Sequence, residues 1–334
     1  MDTEVDTFLV AVYTEIDTLL QTTLAPVHPV RPGPRPTMAD SEVLTLLLIG
    51  QGRGSSERAL LRWAASQLPA YFPVLLSQSA FNRRVRRLGP LCVQLMLALA
   101  ELLAGPTSPY QVVDTTAVPL ARRCRGTRHR LFADEAAVGH GGSDHQFYYG
   151  CKLLLAVAAD GPITGFVLGP ANTQDRWLLD ALLTWRVTPD GQPWTVTDIP
   201  RRHRRGGGGR TGPTGPRWWP DSVGRPATGV YLADRGFGGA AWLPHWEQDT
   251  AALVLTGAAA LPPRMRRAHH GWRQVIETVN GVLDDVLHLA FPKAKTMWGV
   301  VTRVAAKCAA LTLGIRCNRL FGRADLAIAT LFLG

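Results

Sequence analysis

The feature that most restricts the fold is a change of hydrophobic rhythm near Tyr110. Before it, apolar residues recur at helical spacing. Val5, Phe8, Leu9, Val12, Ile16, Leu19 and Leu20 mark a first helix, and a Pro-rich connector from Pro26 to Pro36 ends it, because proline lacks the amide donor a helix interior needs. Asp40 and Ser41 offer caps for a second helix over Glu42–Ile49, and further apolar-periodic segments run through Arg58–Gln67, Ala80–Leu88 and Leu91–Leu103. After Tyr110 the chain reads as strands: Gln111–Val118, Phe147–Ala158 and Ile163–Leu168, the last two joined by an Asp160-Gly161 turn. A helix over Asp175–Trp185, a strand over Val230–Ala233, a helix over Gly238–Glu247 and a strand over Ala252–Thr256 follow. Two long helices, Gly271–Leu289 and Ala294–Leu313, close the order.

This pattern predicts an all-helical domain over residues 1–105 and an α/β domain with a mixed sheet and flanking helices over 106–334. The stretch 188–228 is dense in Pro, Gly and Arg and cannot form a packed core, so it reads as an insertion. Its Trp218 and Trp219 could stack on bases or anchor the insertion. The longest apolar runs fall short of the roughly 20 residues of a spanning helix, and the start Met-Asp-Thr-Glu-Val-Asp lacks a basic leader, so the expected location is the cytoplasm, with no membrane partner. Five cysteines without a Cys-x-x-Cys pair suit a reduced compartment and argue against a zinc cluster.

Charge points to the partner. Lysine and arginine total 36 against 26 acidic residues, a net charge of +10, which favours a polyanion. The densest cationic helix is Ser77–Leu88, where Phe81, Val85 and Leu88 form an inward face and Arg83, Arg84, Arg86 and Arg87 point elsewhere. With a preceding helix around Ser56–Ser66 it predicts a helix-turn-helix arrangement, in which Arg83, Arg84 and Arg87 contact double-stranded DNA. A solvated basic face on a structural helix is the competing interpretation.

Three carboxylates carry the chemistry. Asp114 sits within the β-branched run Val112–Val118, Asp234 directly follows the strand Val230–Ala233, and Glu277 lies on the helix Gly271–Leu289. A hairpin-led sheet continued by alternating helices and strands is the layout of an RNase H-like domain, whose first and fourth strands are neighbours. Asp114 and Asp234 would then face one spot. Close carboxylates repel and take up protons or cations, and two hard divalent ions about 3.5 to 4 Å apart would resolve the conflict while promoting phosphoryl transfer. Lys152, on an otherwise apolar strand, could reach phosphate or snorkel at the sheet edge, and His140 and His145 read as loop histidines.

These residues resemble the DDE transposases of bacterial insertion sequences, in the branch with a Tyr-x2-Arg-x3-Glu-x6-Lys signature. Arg273-x3-Glu277, Asp234-Arg-Gly-Phe237 and Val113-Asp114-Thr115-Thr116 match it, as do Tyr149–Leu153, Pro170–Asp175 and Gly299–Lys307. His270 stands where Tyr is usual and Asp284 where Lys is usual. The resemblance implies that Asp114, Asp234 and Glu277 bind two Mg²⁺ ions, with Mn²⁺ able to substitute. It also implies that water nicks the element ends and that the freed 3′-hydroxyl attacks target DNA. Two ends must meet, so a homodimer is expected in the active complex. Arg273, one helical turn before Glu277, is assigned to a phosphate, with an ion pair to Glu277 as its alternative role. Asn172 and Asp175 are expected to cap a helix near the active centre. A metal-dependent nuclease without strand transfer and a DNA-binding protein with a lapsed centre are the competing functions.

Overall fold

Strand β1 (Gln111–Arg122) organises the molecule, because it pairs on both edges. In the computed structural model, residues 3–28, 33–34, 36–104, 108–122, 132, 135–141, 146–187, 229–257 and 263–332 are described. The insertion at 188–228, with Trp218 and Trp219, and also Cys124 and His145, lie outside them. On one side β1 runs antiparallel to β3 (Gln146–Ala158), from Gln111 opposite Ala158 to Arg122 opposite Tyr148. The outer edge of β3 is shared end to end by two antiparallel strands, β2 (Ala137–Gly141) and β4 (Ile163–Pro170). On its other side β1 runs parallel to β5 (Gly229–Ala233), which is parallel in turn to β6 (Ala252–Thr256).

Helices cover both faces. One layer holds α1 (Thr3–Gln21), α2 (Asp40–Ile49), α3 (Glu57–Gln67), α4 (Gln78–Ala104), α7 (Pro263–Gly281, extended by a π-helical turn Val282–Val286) and α8 (Met297–Leu320). The other holds α5 (Asp175–Val187) and α6 (Trp242–Thr250), and a short α9 (Ala329–Phe332) ends the described chain. Alternation along the strands divides the core. Val112, Leu153, Leu155 and Leu232 pack with the first layer, while Val113, Leu154, Ala156 and Tyr231 pack with α5 and α6. Arg186 of α5 is buried without an acidic partner among the described residues. Instead it donates to Gln111 Oε1, Tyr231 Oη and Thr164 O, tying three strands together.

Several elements differ from the sequence reading. The two segments expected at Ala80–Leu88 and Leu91–Leu103 form one 27-residue helix that passes through Pro90. Proline at 90 leaves the carbonyl of Arg86 without its helical donor, and the Trp298 indole of α8 supplies one at 2.9 Å. Helices α4 and α8 also approach closely at Gly89, where a Cβ would stand 2.5 Å from Thr302 Oγ1. His140, expected on a loop, lies on β2 with its ring 5.0 Å from that of Phe147. The π-helical turn ends the long helix at Val286, three residues before the expected Leu289. Among the described residues α8 alone is long and apolar enough to cross a membrane, and 89% of its most apolar window is buried inside this fold.

The Gly89 contact gives a direct test of the α4–α8 packing. Thr302 is buried and β-branched, so it cannot swing aside. Gly89→Val is expected to destabilise the protein by about 2 kcal/mol in denaturant unfolding, and Thr302→Ala in the same chain should recover part of the loss. A Gly89→Val variant as stable as wild type would contradict the close approach.

Candidate active site

The parallel pairing of β1 with β5 aligns the two aspartates. Gln111 faces Tyr231 and Val112 faces Leu232, so two residues further on Asp114, inside β1, and Asp234, just past the end of β5, fall in the same row of neighbouring strands. Asp234 ends β5 and caps the 3₁₀ turn Arg235–Phe237, its Oδ1 accepting from the Gly236 amide at 2.8 Å. Asp114 Oδ1 accepts from the Thr115 amide at 2.8 Å.

A third acid joins them. Asp175, at the first turn of α5, accepts from Lys152 Nζ at 2.8 Å and from Thr115 Oγ1 at 3.1 Å. A Cβ on Gly236 would stand 3.0 Å from Asp234 Oδ1 and 3.5 Å from Asp175 Oδ2, so both carboxylates press on the one residue that has no side chain. Lys152 and Thr115 reach Asp175 from β3 and β1, and α7 closes the site from the opposite face.

The electrostatics follow from this crowding. Burial pushes the Asp114 carboxyl up to about 6, the Thr115 amide pulls it back, and the negative charge of Asp234 raises it again. Arg273 on α7 lowers it and Asp175 raises it further. From α7, Asn280 Nδ2 stands 3.5 Å from Asp114 Oδ2, while Asn280 Oδ1 is buried and accepts no hydrogen bond. A buried acceptor without a donor, beside a carboxylate that resists ionising, fits a hard cation with oxygen ligands.

Glu277 is placed differently from the aspartates. Arg273, Glu277 and Asn280 share one stripe of α7 at helical spacing, but the Glu277 side chain is 60% exposed and stands 3.9 Å from Arg273 Nη2. Among the described residues no three His, Cys, Asp or Glu side chains are gathered in a metal-holding arrangement. Asp114 is close enough to feel the charges of Asp234 and Asp175, and Lys152 pairs with Asp175, but the three carboxylates do not converge on one point and Glu277 stays at the rim. Arg273 makes the alternative contact of its sequence reading and also acts on Asp114 by charge. Asp284, at the signature lysine position, is exposed.

The basic helix is also more divided than its sequence suggests. Arg84 is held by Asp40, Nε to Oδ1 at 2.6 Å, and reaches the Met38 carbonyl, so its guanidinium braces α4 against α2 rather than facing a partner. Arg87 opens onto the same side as Arg84, and Arg83 is exposed. Arg86 turns the other way, toward α8. Helices α3 and α4 touch through Asn82 and Glu57, but residues 68–77 separate them, longer than the three- or four-residue turn of a helix-turn-helix unit.

Two site residues escaped the sequence reading in their full role. Asp175 is read from the sequence as a helix cap near the active centre, without its pairing to Lys152 and Thr115. Asn280 follows Glu277 by one helical turn, and that spacing was the available signal.

No family model matches the chain. No curated protein matches it either. Among solved structures, it matches a Mos1 transposase paired-end complex with left transposon end at 12% identity over 85% of this chain and 81% of that one, with a TM-score of 0.21. The Mos1 mariner paired-end complex with Mn matches at 13% identity over 90% and 86%, with a TM-score of 0.22. A pre-cleavage Mos1 transpososome matches at 12% identity over 97% and 99%, with a TM-score of 0.23. Superpositions this poor carry no argument for fold or function.

The state of Asp114 has a measurable consequence. Its folded pKa of about 6 exceeds the model-compound value of 3.8, so the folded chain holds the proton more tightly than the unfolded one. The contribution of Asp114 to stability is therefore greatest below about pH 4 and is lost as pH rises through about 6. Asp114→Asn removes the charge, and at pH 8 without divalent ions it should be more stable than wild type by on the order of 2 kcal/mol. The gap should close below about pH 4. Equal stability at pH 8 would show that the carboxylate is not under strain.

Proposed function

We propose that this chain is a DNA transposase of the DDE type, built on an RNase H-like domain that cuts and joins phosphodiesters. The observation that carries the proposal is the shared row of Asp114, inside β1, and Asp234, just past the end of the parallel neighbour β5. The strand order supports it as well: an antiparallel meander through β1, β3 and β4, then two parallel strands added on the far side of β1, is the RNase H-like arrangement. The net charge of +10 supports a DNA partner.

In this reading Asp114 and Asp234 would hold Mg²⁺ or Mn²⁺, and Asn280 Oδ1 and Glu277 would be the further oxygen ligands. When bound, the metal supplies charge neutralisation at the phosphodiester and lowers the pKa of an attacking oxygen. The chain's own groups do the remainder. Asp114 gives up its proton as the site fills, because a neighbouring cation favours the ionised carboxylate. Arg273, on the same helix face, is placed to hold a phosphate oxygen bidentately. Lys152 fixes Asp175, which together with Gly236 sets the position of Asp234. In the first step a water oxygen bonds to phosphorus and the 3′-oxygen leaves as a hydroxyl. In the second that hydroxyl bonds to a target phosphorus and displaces the target's own 3′-oxygen. Neither step forms a bond to the protein, so positioned oxygens and charge suffice. Two element ends must be held together, which a homodimer would do.

The test uses purified protein, Mg²⁺ or Mn²⁺, and duplex DNA taken from both sides of the coding region, where terminal inverted repeats are expected. Nicks ending in a 3′-hydroxyl and joined products are expected, and both should vanish in Asp114→Asn and Asp234→Asn while duplex affinity persists. Cleavage without joining would identify a nuclease. Binding without either would identify a lapsed enzyme, the outcome that the outward Glu277 and the aspartate at 284 favour.

A further inference from the structure

Among the described residues a cationic surface lines a groove of about 610 Å³ between α3, α4 and α8. Arg86, Lys293 and Lys295 line it, all exposed and paired with no acid among the described residues. The only carboxylate lining it, Glu57, is already satisfied: Asn82 donates to both of its oxygens and Arg303 bonds Oε1 at 2.9 Å. The first turns of α3, α4 and α8 also open into it, through Ser56, Ser79 and Thr296, and each helix start adds partial positive charge. The groove thus carries uncompensated positive charge from three side chains and three helix ends.

The segment that presents two of these cations is strained and held in place. His288, Phe291 and Lys293 have φ of 54°, 52° and 53°, a left-handed conformation that side chains disfavour. Strain of this kind persists only where the surroundings over-determine it. Here Lys307 Nζ bonds the Leu287 carbonyl, Arg303 Nη1 bonds the Pro292 carbonyl, and the Phe291 amide bonds Pro119 O of β1. Lys293 and Lys295 therefore project from an anchored loop, at little entropic cost on binding.

We propose that this groove seats the sugar-phosphate backbone of duplex DNA. Its cations come from separate elements, Arg86 from α4 and Lys293 and Lys295 from the loop before α8, and a groove of this size has room for more than one phosphate. Its distance from the acids also suits a duplex. The Phe291 anchor lies on β1 at Pro119, five residues beyond Asp114, or roughly 16 Å along an extended strand. Phosphates of one strand are spaced about 3.4 Å along the helix axis, so a duplex engaged by the acids spans the distance to the anchor of the lysine-bearing loop in less than one turn. The inference rests on the transposase reading for the identity of the polymer. It moves the main DNA contact of α4 from Arg83, Arg84 and Arg87 to Arg86 and the loop lysines.

Fluorescence anisotropy with a labelled duplex of arbitrary sequence, titrated across salt concentrations, tests the groove. Lys293→Ala with Lys295→Ala should weaken binding at least tenfold at moderate salt and reduce the slope of log K against log salt by about 2. Arg86→Ala alone should reduce it by about 1, and Arg83→Ala should change little. Unchanged slope and affinity in the lysine variant, or a wild-type protein that binds no duplex, would overturn the proposal. Lysine-dependent binding in a protein that never cuts end-bearing DNA would support the groove and overturn the catalytic reading alone.

Discussion

The structure depends on a repulsion held in place. Parallel pairing of β1 and β5 brings Asp114 and Asp234 to one row, α5 adds Asp175 nearby, and burial makes the ionised form of Asp114 costlier than it would be in water. The core on either side is apolar and alternates cleanly, so the strands cannot slip by a residue to separate the acids without turning Val112 and Val113 to the wrong faces. Lys152 answers Asp175, and Arg273 offsets Asp114 only from a distance. A site held at this tension favours whatever brings positive charge to it.

Around that centre the helical layer is built as a support for the first face of the sheet. Helix α8 runs through the core, and α4 lies against it closely enough that Gly89 leaves no room for a side chain beside Thr302. The Trp298 indole satisfies the carbonyl orphaned by Pro90, which lets a proline-containing helix continue unbroken. The same two helices form the walls of the cationic groove. Packing that stabilises the fold therefore also fixes the positions of Arg86 and the loop before Met297.

Much of this was legible in the chain. The strand at Ala252–Thr256 has the bounds read from its sequence, and the first and fourth strands of that reading are neighbours, because β-branched runs and a Gly turn encode local structure strongly. What failed to show depended on tertiary partners. Pro90 reads as a break until Trp298 is seen to replace its missing donor. Arg84 and Arg86 are indistinguishable on a helical pattern, and only Asp40 on one side and Glu57 with α8 on the other separate a brace from a free cation. Asp175 looks like a cap because caps are its commonest use, and its role at the site comes from Lys152 and Thr115 across the sheet. Glu277 was placed on the right helix and the right stripe, but a glutamate at a helix surface keeps enough rotamer freedom to rest in water beside Arg273.

The most direct measurement is Mn²⁺ binding followed by the electron paramagnetic resonance signal of the free ion at pH 8. Titration of wild-type protein should remove the free-ion signal. Asp114→Asn or Asp234→Asn should restore it, and Glu277→Gln should weaken the binding. If both aspartate variants capture Mn²⁺ as wild type does, the two aspartates do not form a metal site, and the case for phosphoryl transfer falls with it.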